Sequence, residues 1–245
     1  RENSLGPQHE FVAANLYNRG AKLQLINVST WGVLWLVSRD PALKSLADLR
    51  GKELAMPFRG DMPDIVLQLL AEQQGMDVRK DLQLRYVASP VDAMQLLVMR
   101  RVDHALLAEP AASMALRKTG SFPLSVIAPE LHRSVDLQRE WGRVFAREAR
   151  IPQAGIAVMG ALRGRPALVA RIEAEYARAL GWCKDNAEAC GKAVAARIDM
   201  LSAQAVTDSI AVSQLKAVSA RDARTELEFL FAHLVASSPA LVGGK

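Results

Sequence analysis

Short apolar runs alternate with stretches of helical spacing along the first half of the chain. Leu23 to Val28 and Val33 to Ser38 read as strands. Ser45-Leu-Ala-Asp48 is a capping box that opens a short helix, and Gly51 ends it. Glu53 to Pro57 is the next strand. Met62, Ile65, Val66, Leu69 and Leu70 then fall on one helical face, and Gly75 terminates that helix. Leu82 to Val87 alternates like a strand. Ser89-Pro90-Val91-Asp92 supplies an N-cap, a proline at the first helical position and an acid at the third, for a helix reaching about Arg101. Val102 to Ala108 is another strand, and Glu109-Pro110 starts another helix.

This β-α-β-α-β-α order with short connections predicts a parallel sheet covered by helices. In such a sheet the useful cleft lies beyond the carboxyl ends of the strands. Arg59-Gly60-Asp61, Ser89-Pro90 and Glu109-Pro110 all fall at that edge. Further on come a short apolar run, Leu124 to Ala128, and a segment over 132–150 rich in arginine. Trp141, Val144 and Phe145 give that segment an apolar face and predict an amphipathic surface helix. Gly155 to Gly160 is a further strand. The remainder reads as mostly helical: Pro166 to Trp182 with Leu168, Ile172, Tyr176 and Leu180 on one side, then Ala187 to Ile198. A final helix with Leu227, Leu230, Phe231 and Leu234 follows the capping box Ser219-Ala-Arg-Asp222.

Composition narrows the class. The 245 residues are half hydrophobic and 23% charged, ordinary values for a globular chain long enough to bury a core. No apolar run approaches the roughly 18 residues that span a bilayer. The net charge is +5, but its basic residues are scattered among acids rather than gathered in the stripe a nucleic-acid binder presents. The excess favours small anionic ligands through long-range attraction. The two cysteines, Cys183 and Cys190, are too few for a disulfide scaffold and fit no zinc spacing; a bridge across a helix break and two buried thiols both remain open.

Residues 45–116 resemble the type II periplasmic substrate-binding proteins of ABC importers, in particular those for sulfonates, taurine, nitrate and thiamine precursors. Two motifs carry the resemblance: SLADLRGKELA (45–55), leading to a strand that ends in a Pro and Gly turn, and SPVDAMQLLVMRRVDHALLAEP (89–110). Met94 is shifted one place from the family's pattern. The likeness continues more loosely through NLYNRGAKLQLINVSTWGVLWLVS (15–38), IPQAGIAVMG (151–160) and SSPALVGGK (237–245). It implies an α/β fold of two lobes, each a sheet covered by helices, joined by two crossings near Thr30–Trp35 and Gly155–Val158, with ligand in the cleft between them. Lobe one is then 1–33 with 155–245, and lobe two is 34–154. Family members carry some tens of residues before the part matching Ser4-Leu5-Gly6-Pro7, so lobe one is expected to lack its N-terminal part and any signal peptide here.

Candidate site residues follow from both lines of reasoning. The bend Phe58-Arg59-Gly60-Asp61-Met62 offers helix-start amides, a glycine that lets the backbone approach and a guanidinium, which together suit an anion. Asp61 can instead cap its own helix. Thr30 and Trp31 lie at the first crossing, where Trp31 either stacks on ligand or packs the hinge. Glu109 either meets a cationic or hydroxyl group or serves its own helix start. Gln8 and His9 sit in what resembles a ligand-touching loop. His104, His132 and His233 lack metal spacing, no nucleophile stands with its base, and no cofactor or metal is expected.

The leading expectation is a solute receptor, not an enzyme. It is periplasmic and monomeric, binds an anionic or zwitterionic organic molecule, and docks on the importer's permease in the inner membrane rather than on nucleic acid. The alternatives are an enzyme on the same fold, of the thiamine-pyrimidine or menaquinone type, or the effector domain of a LysR-type regulator.

Overall fold

A computed structural model describes residues 5–8, 10–127, 130–237 and 239–243. The strands and helices in chain order begin with β1 (Leu5–Gln8), α1 (Glu10–Asn18), β2 (Leu23–Gly32), β3 (Leu34–Ser38), β4 (Glu53–Pro57), α2 (Met62–Glu72) and α3 (Val78–Asp81). Then come β5 (Gln83–Val87), α4 (Pro90–Val98), β6 (His104–Ala108), α5 (Ala111–Gly120), α6 (Leu124–Ile127), β7 (His132–Asp136) and α7 (Leu137–Phe145). The chain ends with β8 (Ala154–Met159), α8 (Pro166–Asp185), α9 (Ala187–Ala195), α10 (Ala203–Val212), β9 (Gln214–Ser219) and α11 (Arg224–Ser237).

The chain forms two compact units. Unit 1 comprises the residues up to Gly32, Ile151–Asn186 and the residues from Ser213 on; unit 2 comprises Val33–Arg150 and Ala187–Val212. Four chain crossings join them, where two were expected, and α9 and α10 pack with unit 2 rather than with lobe one.

Unit 2 is built on a five-stranded sheet in the order β5-β4-β6-β3-β7. Strands β4, β5 and β6 run parallel, as the alternation of strand and helix predicts. The all-parallel expectation fails at β3, which pairs antiparallel with both β6 and β7. It enters directly from β2 without a crossover helix, so nothing obliges it to share their direction. One face of the sheet is covered by α4 and α5. There Val37, Ala55, Ala105 and Leu107 pack against Ala93, Met94, Leu97, Ala112 and Ala115. Full burial of a side chain such as Leu97 contributes about 2–3 kcal/mol.

Two segments depart from the expected elements. The arginine-rich stretch opens as strand β7, and the helix begins only at Leu137, where Asp136 accepts from the amides of Gln138 (2.9 Å) and Arg139 (3.2 Å). Val135 supplies the strand's buried contact opposite Leu36. Buried Gln138 then accepts from Leu34 N (3.0 Å) and donates to Leu34 O (3.1 Å), tying α7 to the start of β3. The apolar run after Phe122 is a helical turn, Leu124–Ile127.

Unit 1 holds an antiparallel four-stranded sheet, β1-β8-β2-β9. Gly6, Pro7 and Gln8, expected in a loop with His9, instead belong to β1, which pairs along its length with β8. Strand β9, which the helical reading passed over, pairs with β2; its positions are all half-buried except exposed Lys216, so no strong alternation marks it. At Gly155 a Cβ would stand 1.9 Å from Asn27 O, so only glycine fits beside the bulged strand β2. Val169 and Tyr176 of α8 pack on Ile26, Ile156 and Val158. Cys183 and Cys190 are both disulfide-bonded.

Candidate ligand-binding site

Because β4, β5 and β6 are parallel, their carboxyl ends present the starts of α2, α4 and α5 along one edge of the unit 2 sheet. At the first of these, the amide of Phe58 donates to Val87 O (3.1 Å), fixing the bend to the end of β5. Phe58 then adopts φ +59° and Gly60 φ +73°. Glycine tolerates that conformation; a phenylalanine there is strained. The bend holds Phe58 41% exposed, with Arg59 exposed beside it.

The expected helix-start anion site does not survive. Asp61 caps α2 by accepting from Met62 N (2.7 Å), and its own amide donates to Phe58 O (3.1 Å). Asp64, 1% exposed, accepts from Gly60 N at 2.7 Å. Two carboxylates of the chain thus occupy amides that an incoming anion would need, and their charge repels it. What remains for a ligand is the guanidinium of Arg59. It lies over the Tyr86 ring, 5.1 Å from the centroid. The Tyr86 hydroxyl donates to Asp64, 3.2 Å from Oδ2 and 3.3 Å from Oδ1, and Gln68 Nε2 donates to Oδ1 at 2.9 Å. Burial first, and the Asp64 charge second, push the Tyr86 phenol above its ordinary value, so it remains a hydrogen-bond donor at neutral pH.

Tyr86 and Asp64 were not anticipated. Asp64 interrupts the apolar stripe of α2 and stands three residues after the N-cap, the position of a capping-box acid; that spacing was a usable signal. Tyr86 carried none beyond its place in an alternating strand.

Glu109 takes the second of its two readings. Its side chain is 2% exposed and accepts from Arg133 through Nε (2.9 Å) and Nη2 (2.8 Å), from Ser113 N (3.1 Å) and from Ser113 Oγ (2.7 Å). Arg133 also donates to Ser113 Oγ (2.6 Å), and its guanidinium carbon stands 5.7 Å from the Trp35 ring centroid. The carboxylate is spent on joining α5 to β7. Trp31 is likewise internal: 2% exposed, packed with Val28, Ala223 and Leu227, its Nε1 donating to Lys216 O at 2.8 Å. Thr30 is half-buried in β2, its carbonyl accepting from Gln153 N (2.9 Å). Gln8 ends β1 opposite Gly155, and His9 lies outside the described residues. Among the described residues no group of three or more His, Cys, Asp or Glu is placed to hold a metal, and no helix is long and apolar enough to cross a membrane.

No protein-family model matches the chain, and no curated protein does. Solved structures do. An ABC transporter protein from Parabacteroides distasonis superposes with a TM-score of 0.77 at 21% identity, covering 98% of this chain and 77% of that one. The fold is that of the substrate-binding proteins of ABC importers. The periplasmic aliphatic sulphonate-binding protein SsuA from Escherichia coli matches with a TM-score of 0.69 at 18% identity, over 97% of this chain and 75% of that one. The same architecture also serves catalysis: the desulfurization enzyme DSZB matches with a TM-score of 0.60 at 17% identity, over 96% of this chain and 79% of that one.

Proposed function

We propose that the chain is the solute-binding component of an ABC-type importer, working in the periplasm with the importer's permease as partner. Its ligand is a small organic anion or zwitterion held at the edge formed by Phe58, Arg59 and Tyr86. The observation that carries this reading is the exposed Arg59, its guanidinium held over the Tyr86 ring, with the exposed Phe58 next to it in the chain. A cation beside an apolar surface suits a charged head group on a hydrocarbon body, the chemistry of an aliphatic sulphonate or carboxylate. Strain at Phe58 supports a role in binding, since a bulky residue held at positive φ is kept only where its neighbours enforce it. The disulfide supports an oxidising compartment. It also leaves neither cysteine as a thiolate nucleophile, which favours a receptor over an enzyme on this fold.

A thermal-shift screen of aliphatic sulphonates, carboxylates and pyrimidines, followed by calorimetric titration of the hits, tests the proposal. A ligand present at a hundred times its Kd adds about 2.7 kcal/mol to native stability. Arg59→Ala weakens an organic anion at least tenfold while the unliganded melting temperature hardly moves. An organic anion that binds the variant as well as the parent protein removes Arg59 from the site; the absence of any organic-anion ligand removes the ligand class. Recovery of the ligand chemically changed after incubation sinks the receptor reading.

A further inference from the structure

A cavity of about 710 Å³ opens in unit 2 between α5 and the turn that joins α9 to α10. Small-molecule sites run from roughly 300 to 1,000 Å³. Met114, Met200 and Leu201 supply its apolar lining, and Met200 is 62% exposed. Three charged side chains also line it: Arg117, Lys118 and Asp199. Arg117 is engaged by Asp208 of α10, its Nε 2.5 Å from Oδ2 and its Nη2 2.8 Å from Oδ1. Among the described residues Lys118 and Asp199 form no ion pair, with each other or with any other group. One exposed cation and one exposed anion are thus left at a single apolar cavity.

The walls are held by the fold. The contact between Arg117 and Asp208 ties α5 to α10. At Gly191 a Cβ would stand 2.5 Å from Ala203 O and from Thr207 Oγ1, so α9 and α10 pack as closely as a glycine allows. Ser202 Oγ accepts the amide of Ala205 at 3.2 Å where α10 begins. On the other bank Ser121 Oγ donates to Arg117 O at 2.7 Å. The cavity is therefore pre-formed, and a ligand orders little of the chain on entering. The methionines are its adaptable part, since thioether side chains repack around irregular bodies.

We propose that this cavity binds a small zwitterion with an apolar body, of the chemistry of a free neutral amino acid such as leucine. Asp199 receives the ammonium, Lys118 receives the carboxylate, and Met114, Met200 and Leu201 cover the side chain. A ligand of one sign would meet one matching and one repelling charge. The inference stands on unit 2 alone and rests neither on the importer reading nor on the Phe58 edge.

Leucine is titrated into the whole chain and into the Arg59→Ala chain, in which the Phe58 edge has lost its cation. Binding is read by calorimetry and by the resonances of methyl-labelled methionine, assigned with Met114→Leu and Met200→Leu. Saturable shifts of both methyl groups are expected in either chain. Exposed ion pairs contribute up to about 1 kcal/mol, so Lys118→Ala and Asp199→Ala each weaken leucine about fivefold. N-acetylleucine, which lacks the ammonium, is not weakened by Asp199→Ala; leucinamide, which lacks the carboxylate, is not weakened by Lys118→Ala. Shifts that do not saturate overturn the proposal. So does glycine binding as tightly as leucine, or a loss confined to one of the two charge variants. Binding that vanishes in Arg59→Ala assigns leucine to the Phe58 edge and overturns it as well. Lys118 and Asp199 are exposed, so a circular dichroism melt of either variant matches the parent.

Discussion

Two helix starts on one edge of the unit 2 sheet carry an arginine and a carboxylate each, and they use them in opposite ways. At the start of α5, Glu109 is buried and takes a two-pronged contact from Arg133, with Ser113 filling its remaining lone pairs. At the start of α2, Asp64 is just as buried but is satisfied by Gly60 N, Gln68 and Tyr86. Arg59 is left at the surface, resting on the same tyrosine. An arginine near a helix N-terminus therefore says little by itself. What decides its role is whether the nearby carboxylate finds other donors. Where it does, the cation stays available to a ligand; where it does not, the cation becomes part of the scaffold.

The largest effect is expected from Glu109→Gln. Removing the charge leaves the partly buried Arg133 uncompensated, and breaking such a pair costs about 3 kcal/mol. Urea unfolding measures it. A loss below about 1 kcal/mol would place the Glu109 pair with ordinary surface ion pairs and erase the contrast. Asp64→Ala comes next, at about 2 kcal/mol, because three donors lose their acceptor. Its sharper consequence is local: amide exchange at Gly60 accelerates and Tyr86 loses its orientation, so ligand affinity falls together with stability. If Asp64→Ala costs stability but leaves affinity untouched, the support that Tyr86 gives Arg59 is not needed for binding.

Phe58→Gly has the smallest effect on stability and the opposite sign. Relief of the left-handed strain is worth about 1–2 kcal/mol, and the greater freedom of the unfolded chain takes back about half of it. A gain under about 1 kcal/mol is expected in chemical denaturation, accompanied by weaker binding of ligands with long hydrocarbon bodies. A stabilised variant that binds normally would mean the exposed ring has no part in recognition.

Local spacing made the helices at this edge legible. Ser89 caps α4 as its Ser-Pro-x-Asp pattern says, accepting from Asp92 N at 3.1 Å. Asp61 caps α2 in the manner its position allows. The same spacing misjudged the chemistry of the bend, because helix-start amides are open to an anion only if no side chain of the chain takes them first, and Asp64 was hidden in an apolar stripe. A cavity lined by Arg39 and His104 left no motif at all, because its residues come from three separate stretches, 39–40, 52–53 and 100–104, that meet only through strand pairing.

The sequence by itself determined the order and type of most elements, their caps, and the parallel set β4, β5 and β6. These follow from contacts within a few residues and from the period of burial along each segment. Tertiary structure alone decided the reversed direction of β3, the recruitment of 132–136 and 214–219 into sheets, and the grouping of 187–212 with unit 2. It also decided that Glu109 and Trp31 belong to the interior. Their partners, Arg133 at 24 residues' distance and Lys216 at 185, are brought close only when the sheets assemble. A polar group's role is fixed by whichever partner burial leaves within reach, and that is a property of the packed chain.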